Sequence, residues 1–136
     1  MPRHLSAASH DQFVSASSEQ TSTRVASGES LSTLERAVLG LVGATALTHL
    51  YAGIVEGAPP VLLAGVGFIG GGLLYVRGGR RDALAVAAVP YTAVQIPLWY
   101  VAKAGDFTAV GYVDKAIQVA LVAALAALIL RRRRAA

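Results

Sequence analysis

The sequence predicts an all-α membrane protein: a four-helix transmembrane bundle with antiparallel neighbours, preceded by a disordered N-terminal tail. Three observations lead there. Hydrophobic residues make up 54% of the 136 residues and charged ones only 15%. The hydrophobic residues fall in four blocks, Ala37–Val55, Ala58–Val76, Ala83–Ala102 and Ala116–Leu130. A helix needs about 20 residues to cross hydrocarbon; the first and third blocks meet that, the second barely, and the fourth only when extended back toward Phe107 through Asp114 and Lys115. Arginines gather at block ends on one side of a four-pass path, which is a topology signal.

Length and composition narrow the function classes. A chain of 136 residues holds one domain, divided here into a Ser/Thr-rich tail over about residues 1–30 and a four-pass domain over about residues 31–136. The sequence contains no cysteine, so disulfides and thiolate chemistry are excluded. The net charge is +4, but the basic residues sit at helix ends and not in a patch, so no nucleic-acid partner is expected. No metal site, cofactor or catalytic constellation is expected either. The partners implied are the lipid bilayer and a membrane protein or second copy.

Residues 1–30 are rich in Ser, Thr, Ala and Gln. Phe13, Val14 and Val25 cannot build a core, so the tail reads as disordered and cytoplasmic. No basic stretch runs into an apolar one there, so a cleavable secretory signal is not expected.

Four helices follow, over about residues 34–56, 59–77, 82–103 and 108–131. Ser32 with Glu35 three residues on fits a capping box at the first start. Glu56-Gly57-Ala58-Pro59-Pro60 reads as a tight turn, with proline tolerated in the first turn of the next helix. Gly53 and Gly57 on the first helix, and Gly67 and Gly71 on the second, have the four-residue spacing that lets another helix approach closely. Gly65-x-Gly67-x-x-Gly70 matches a dinucleotide fingerprint as a string, but no strand precedes it, and the match is rejected. Asp82 sits where the third helix dipole favours an anion. Pro90 and Pro97 fall on nearly one face of that helix, where each removes a backbone hydrogen bond.

Orientation follows from the arginines. Arg36, the Arg77/Arg80/Arg81 turn and the run Arg131, Arg132, Arg133, Arg134 fall on one side, the Glu56 and Lys103/Asp106 turns on the other. The positive-inside rule then puts both termini in the cytoplasm of a plasma-membrane protein. Arg77, Arg80, Arg81, Arg131, Arg132, Arg133 and Arg134 are the candidates for topology or lipid headgroup contact; for the Arg131–Arg134 run a simple topology lock at the helix C-terminus is preferred.

The candidate binding residues are His49, Gln95, Asp114 and Gln118. At 1.5 Å rise per residue, His49 and Gln95 lie about 12 Å below the outer edge, Gln118 about 13 Å and Asp114 about 8 Å. Three helices thus place polar groups in one outer layer. Asp114 and Gln118 share a helix face, while Lys115 is expected to point elsewhere and snorkel outward. The layer reads either as a proton-accessible chamber or as interhelical hydrogen bonds that fix the bundle's register. The second is preferred, because no further charge is in view to complete a relay. His49 alone cannot complete a common haem or metal site.

Thr48-His49-Leu50-Tyr51, Gly67-Phe68-Ile69-Gly70-Gly71, Thr92 through Tyr100 and Gly111-Tyr112-Val113-Asp114-Lys115 resemble a family of small four-helix membrane proteins from haloarchaea, over about residues 35–131. The resemblance implies the fold and an archaeal plasma membrane, and it carries no activity. The function expected is a non-enzymatic helper or assembly subunit. The alternatives are a small homo-oligomeric channel or carrier using the polar layer, and a redox subunit holding a cofactor through His49.

Overall fold

The computed structural model describes residues 30–136, so the expectation of a disordered tail lies outside the described residues. The part from Ser32 onward forms one unit of four helices: α1 (Thr33–Val55), α2 (Pro59–Arg77), α3 (Arg81–Lys103) and α4 (Ala109–Ala135). Each is long and apolar enough to cross a membrane. No strand occurs among the described residues.

Local chemistry sets the boundaries. Ser32 caps α1: its hydroxyl accepts from Glu35 N, and Glu35 Oε2 accepts from Ser32 N at 2.8 Å. Pro59 and Pro60 open α2, where a missing N–H costs nothing. The Thr108 hydroxyl caps α4 by accepting from Gly111 N at 3.1 Å. α3 stays helical through Pro90 and Pro97, whose freed carbonyls neighbouring groups can satisfy. α4 extends through all four terminal arginines, beyond the expected stop near residue 131.

Packing is uneven around the bundle. α1 lies closely against α2 and also against α4, and α4 lies against α3, whereas α2 and α3 barely touch. Gly53 makes the α1–α2 approach: a Cβ there would come within 2.6 Å of Leu62 N, so only glycine fits the existing backbone separation. Gly57 departs from the expected packing pair. It lies beyond α1 with φ +60, in a conformation that side chains disfavour, and nothing approaches its Cβ direction. Its role is to turn the chain.

The core runs along the bundle axis through Val38, Ala46, Phe68, Tyr75, Ala85, Leu121, Leu125 and Leu128. Large apolar side chains face outward on every helix, among them Leu47, Leu63, Leu73, Leu98 and Val119. An apolar surface this continuous needs lipid or protein to cover it.

Candidate functional site

Two polar clusters join the helices, one toward each end of the bundle; the first is buried, and the second runs from the buried Glu35 and Tyr75 out to the exposed Asp82. The first lies in the half nearest the Glu56 and Asp106 turns. α1 places Thr45 and His49 one turn apart on its inner face, with Thr48 beside them. α4 places Asp114 and Gln118 on its inner face at the same spacing, and α3 adds Gln95.

Each polar atom of this cluster has a partner, and the partners define a circuit. Asp114 Oδ1 accepts from the Thr45 hydroxyl at 2.8 Å and from the Thr48 hydroxyl. Lys115 Nζ lies 2.9 Å from Asp114 Oδ2 and donates to Gln118 Oε1 at 2.8 Å. That contact fixes the Gln118 amide, because an ammonium can only donate. The Gln118 amide nitrogen then lies 3.4 Å from His49 Nε2 and donates to Gln95 Oε1 at 3.3 Å. The Gln95 amide donates to the Tyr91 carbonyl at 2.9 Å. His49 Nδ1 lies 2.8 Å from the Thr45 carbonyl and 3.3 Å from Asp114 Oδ1. A carbonyl only accepts, so the proton sits on Nδ1 and the Nε2 lone pair faces the Gln118 amide.

The structure therefore brings His49, Gln95, Asp114 and Gln118 together, and it adds residues that the sequence reading passed over. Thr45 and Gln118 are 0% exposed. Lys115 corrects an expectation: it does not snorkel outward but is 9% exposed, with its amine folded back beneath the Trp99 ring at 5.8 Å. A lysine stem of four methylenes reaches around a helix, so the direction of its Cα–Cβ bond does not decide where its charge goes. The same residue supplies a second charge to the layer. The adjacent Thr45–His49 spacing was the signal for the threonines.

Aromatic rings close this cluster off at both levels. Toward the turns, Phe107 packs on Trp99, Tyr100 and Tyr112 with ring centroids 4.9, 5.5 and 5.8 Å away. Toward the bundle centre, Phe68 meets the His49 ring edge-on at 5.5 Å and Tyr91 at 5.2 Å. Lys103 Nζ ties the end of α3 to Glu56 Oε1 at 2.8 Å, across the two turns.

The second cluster lies at the opposite end and draws on all four helices. Arg132 Nη2 lies 2.6 Å from Glu35 Oε1 and 2.8 Å from the Tyr75 hydroxyl, and Nη1 pairs with Asp82 Oδ1. Tyr75 donates to Glu35 Oε1 at 2.9 Å. Arg81 donates to the Tyr75 carbonyl at 3.2 Å. Two of the expected headgroup arginines, Arg81 and Arg132, are thus engaged with other helix groups. Arg77, Arg80, Arg131, Arg133 and Arg134 are exposed. Asp82 also has a role beyond the helix dipole.

The remaining glycines mark an open seam. A Cβ at Gly67 would run into the Tyr91 hydroxyl, which reaches across to the Ala64 carbonyl at 3.1 Å. Gly67 therefore accommodates a side chain of α3 and not a foreign helix. A Cβ at Gly71 would meet nothing within 4 Å. Beside it lies a cleft of about 270 Å³, floored by Val38 and Leu121 and walled by α2 and α3. Among the described residues, no group of three or more His, Cys, Asp or Glu could hold a metal ion. The chain matches no family model, no curated protein and no solved structure.

Proposed function

We propose that this chain is a non-enzymatic helper or assembly subunit of a plasma membrane, with both termini in the cytoplasm and the α2–α3 seam turned toward a partner helix. The arginine-bearing ends supply the orientation. The observation that carries the reading is the contrast between seams. Polar clusters and close approach hold α1, α2 and α4 together and fasten α3 to α4, while α2 and α3 leave a cleft with Gly71 unopposed. The Asp114 circuit is occupied with its own partners, which supports a register-fixing role. Both ring nitrogens of His49 are engaged, which weighs against a cofactor ligand there.

A single cysteine at Gly71 carrying a photo-crosslinker tests this in native membranes, with Val119→Cys as the control on another exposed surface. An adduct with another polypeptide from position 71 and none from position 119 supports the reading. A second copy in the adduct would make the partner the chain itself. Equal yields from both positions, or none, would end it.

The carrier alternative rests on the burial of Asp114, Lys115 and His49 in one layer. It requires pH-dependent flux in liposomes that Asp114→Asn abolishes. Flux that survives the substitution removes it.

A further inference from the structure

The polar circuit around His49 has a direction, and that direction is fixed at both ends. At one end Lys115 Nζ donates to Gln118 Oε1 at 2.8 Å, and an ammonium has no lone pair with which to accept. At the other the Gln95 amide donates to the Tyr91 carbonyl at 2.9 Å, and a carbonyl has no proton to give. Between them the Gln118 amide nitrogen faces His49 Nε2 at 3.4 Å and Gln95 Oε1 at 3.3 Å. The donors therefore run one way, from Lys115 on α4 through Gln118 to His49 on α1 and Gln95 on α3. The arrangement holds only while Nε2 keeps its lone pair.

A proton arriving on His49 reverses that requirement. Nδ1 is already committed as a donor to the Thr45 carbonyl at 2.8 Å, so the added proton goes to Nε2, and an imidazolium donates from both nitrogens. Nε2–H then points at the Gln118 amide nitrogen, donor against donor. Turning that amide over brings Gln118 Oε1 to Nε2–H and restores the contact as a charge-assisted bond. The same turn aims the amide nitrogen at the Lys115 ammonium and sets Oε1 against Gln95 Oε1, so the bonds to Lys115 and to Gln95 are lost together. Gln95 cannot turn as well without leaving the Tyr91 carbonyl. Lys115 keeps Asp114 Oδ2 at 2.9 Å.

Among the described residues, the charged groups that face His49 come from α4. They are Asp114, with Oδ1 3.3 Å from Nδ1, and Lys115 beside it. α3 brings the neutral Gln95 and α2 the Phe68 ring, while α1 itself adds the hydroxyls of Thr45 and Thr48. Tyr91, next to Phe68 in the ring stack, has its hydroxyl on the Ala64 carbonyl. Of these residue types, histidine is the one that ordinarily changes charge between about pH 5 and 8. His49 lies less than two turns from the Glu56 end of α1, so the proton has its shortest path from that side. We propose that the Gln118 amide is a proton-operated latch between α4 and α3, turned over by protonation of His49 so that Lys115 and Gln95 are released in one step. Because α3 barely touches α2 and packs mainly on α4, the bond from Gln118 to Gln95 is one of the ties that position α3. No transport of the proton is inferred, and the latch does not depend on the α2–α3 seam having a partner.

Trp99 is the only tryptophan in the sequence, and the Lys115 amine lies 5.8 Å from its ring centroid, so its emission reports the release. The full chain carrying His4→Gln and His10→Gln keeps His49 as its one histidine. In nanodiscs it is followed from about pH 8 down to about pH 5 by Trp99 emission and by nitrogen NMR of the histidine ring. The two signals should change with a common midpoint, and the Gln118 side-chain amide resonance should change with them. His49→Phe should abolish the emission change. Gln118→Met should abolish it too while the His49 ring still titrates, a separation that a merely structural contact would not produce. Circular dichroism checks that the variants are folded, and where one is not, the Gln118 amide resonance of the parent chain decides. An amide resonance that stays fixed while the ring titrates overturns the proposal. So does a ring that does not titrate over this range, or an emission change that survives His49→Phe or Gln118→Met. Neither result alters the outcome of crosslinking from position 71, which tests the helper reading separately.

Discussion

Lys115 Nζ lies 2.9 Å from the Oδ2 of Asp114, its immediate neighbour in sequence, in the half of the bundle nearest the Glu56 and Asp106 turns. Adjacent helical residues do not face each other, so the contact exists only because the amine turns back over Trp99 and meets Gln118 as well. The two charges cancel locally, which is what permits either of them at this depth.

Removing one member should therefore be worse than removing both. Asp114→Asn leaves an ammonium buried without its counter-ion and should cost about 3–5 kcal/mol. The double change Asp114→Asn with Lys115→Met should recover a large part of that loss. Thermal unfolding in detergent, arranged as a double-mutant cycle, measures the coupling. Strict additivity would show that the pair is not a unit.

The Arg132 clamp predicts a contrast among four consecutive arginines. Arg132→Met takes the cation from the buried Glu35, while the exposed Asp82 is left in the polar edge, and should lower stability by about 1.5–3 kcal/mol. Arg133→Met, at an exposed position, should stay within about 0.5 kcal/mol of wild type. Comparing the melting temperatures of the two variants is sufficient. Equal effects would mean that the run acts only through its total charge.

Glycine substitutions should separate by position. Gly53→Ala drives a Cβ into the Leu62 backbone and should destabilise by about 1–3 kcal/mol. Gly40→Ala meets nothing within 4 Å and should stabilise by about 0.5–1 kcal/mol through helix propensity. Urea midpoints in a fixed detergent report both, and the same sign for the two would contradict the packing described.

The orientation is open to direct labelling, because the chain has no native cysteine. Cysteines placed at Glu56 and Arg80 should react with an impermeant maleimide from opposite sides of the membrane, position 56 from outside the cell. Reaction of both from one side would refute the four-pass path.

The four spans were legible because burial in lipid leaves long uncharged blocks, and caps such as Ser32 and Glu35 act within a few residues of each other. His49, Gln95, Asp114 and Gln118 were legible as one layer because helical rise converts sequence spacing into depth. Rotation about each helix was not. Lys115 was misplaced because a long side chain ignores the direction of its own Cβ. The Arg132 clamp was missed because its four residues come from four helices and share only a level.

The clamp also orders the way the protein is made. Glu35, Tyr75 and Asp82 leave the ribosome well before Arg132, whose guanidinium they share. Until α4 enters the bilayer, two carboxylates at the membrane edge wait for their cation. The threonines and histidine of α1 likewise wait for Asp114. Closure of the bundle thus waits for α4, and a chain cut short before residue 132 would present its vacant carboxylates as a mark of being unfinished.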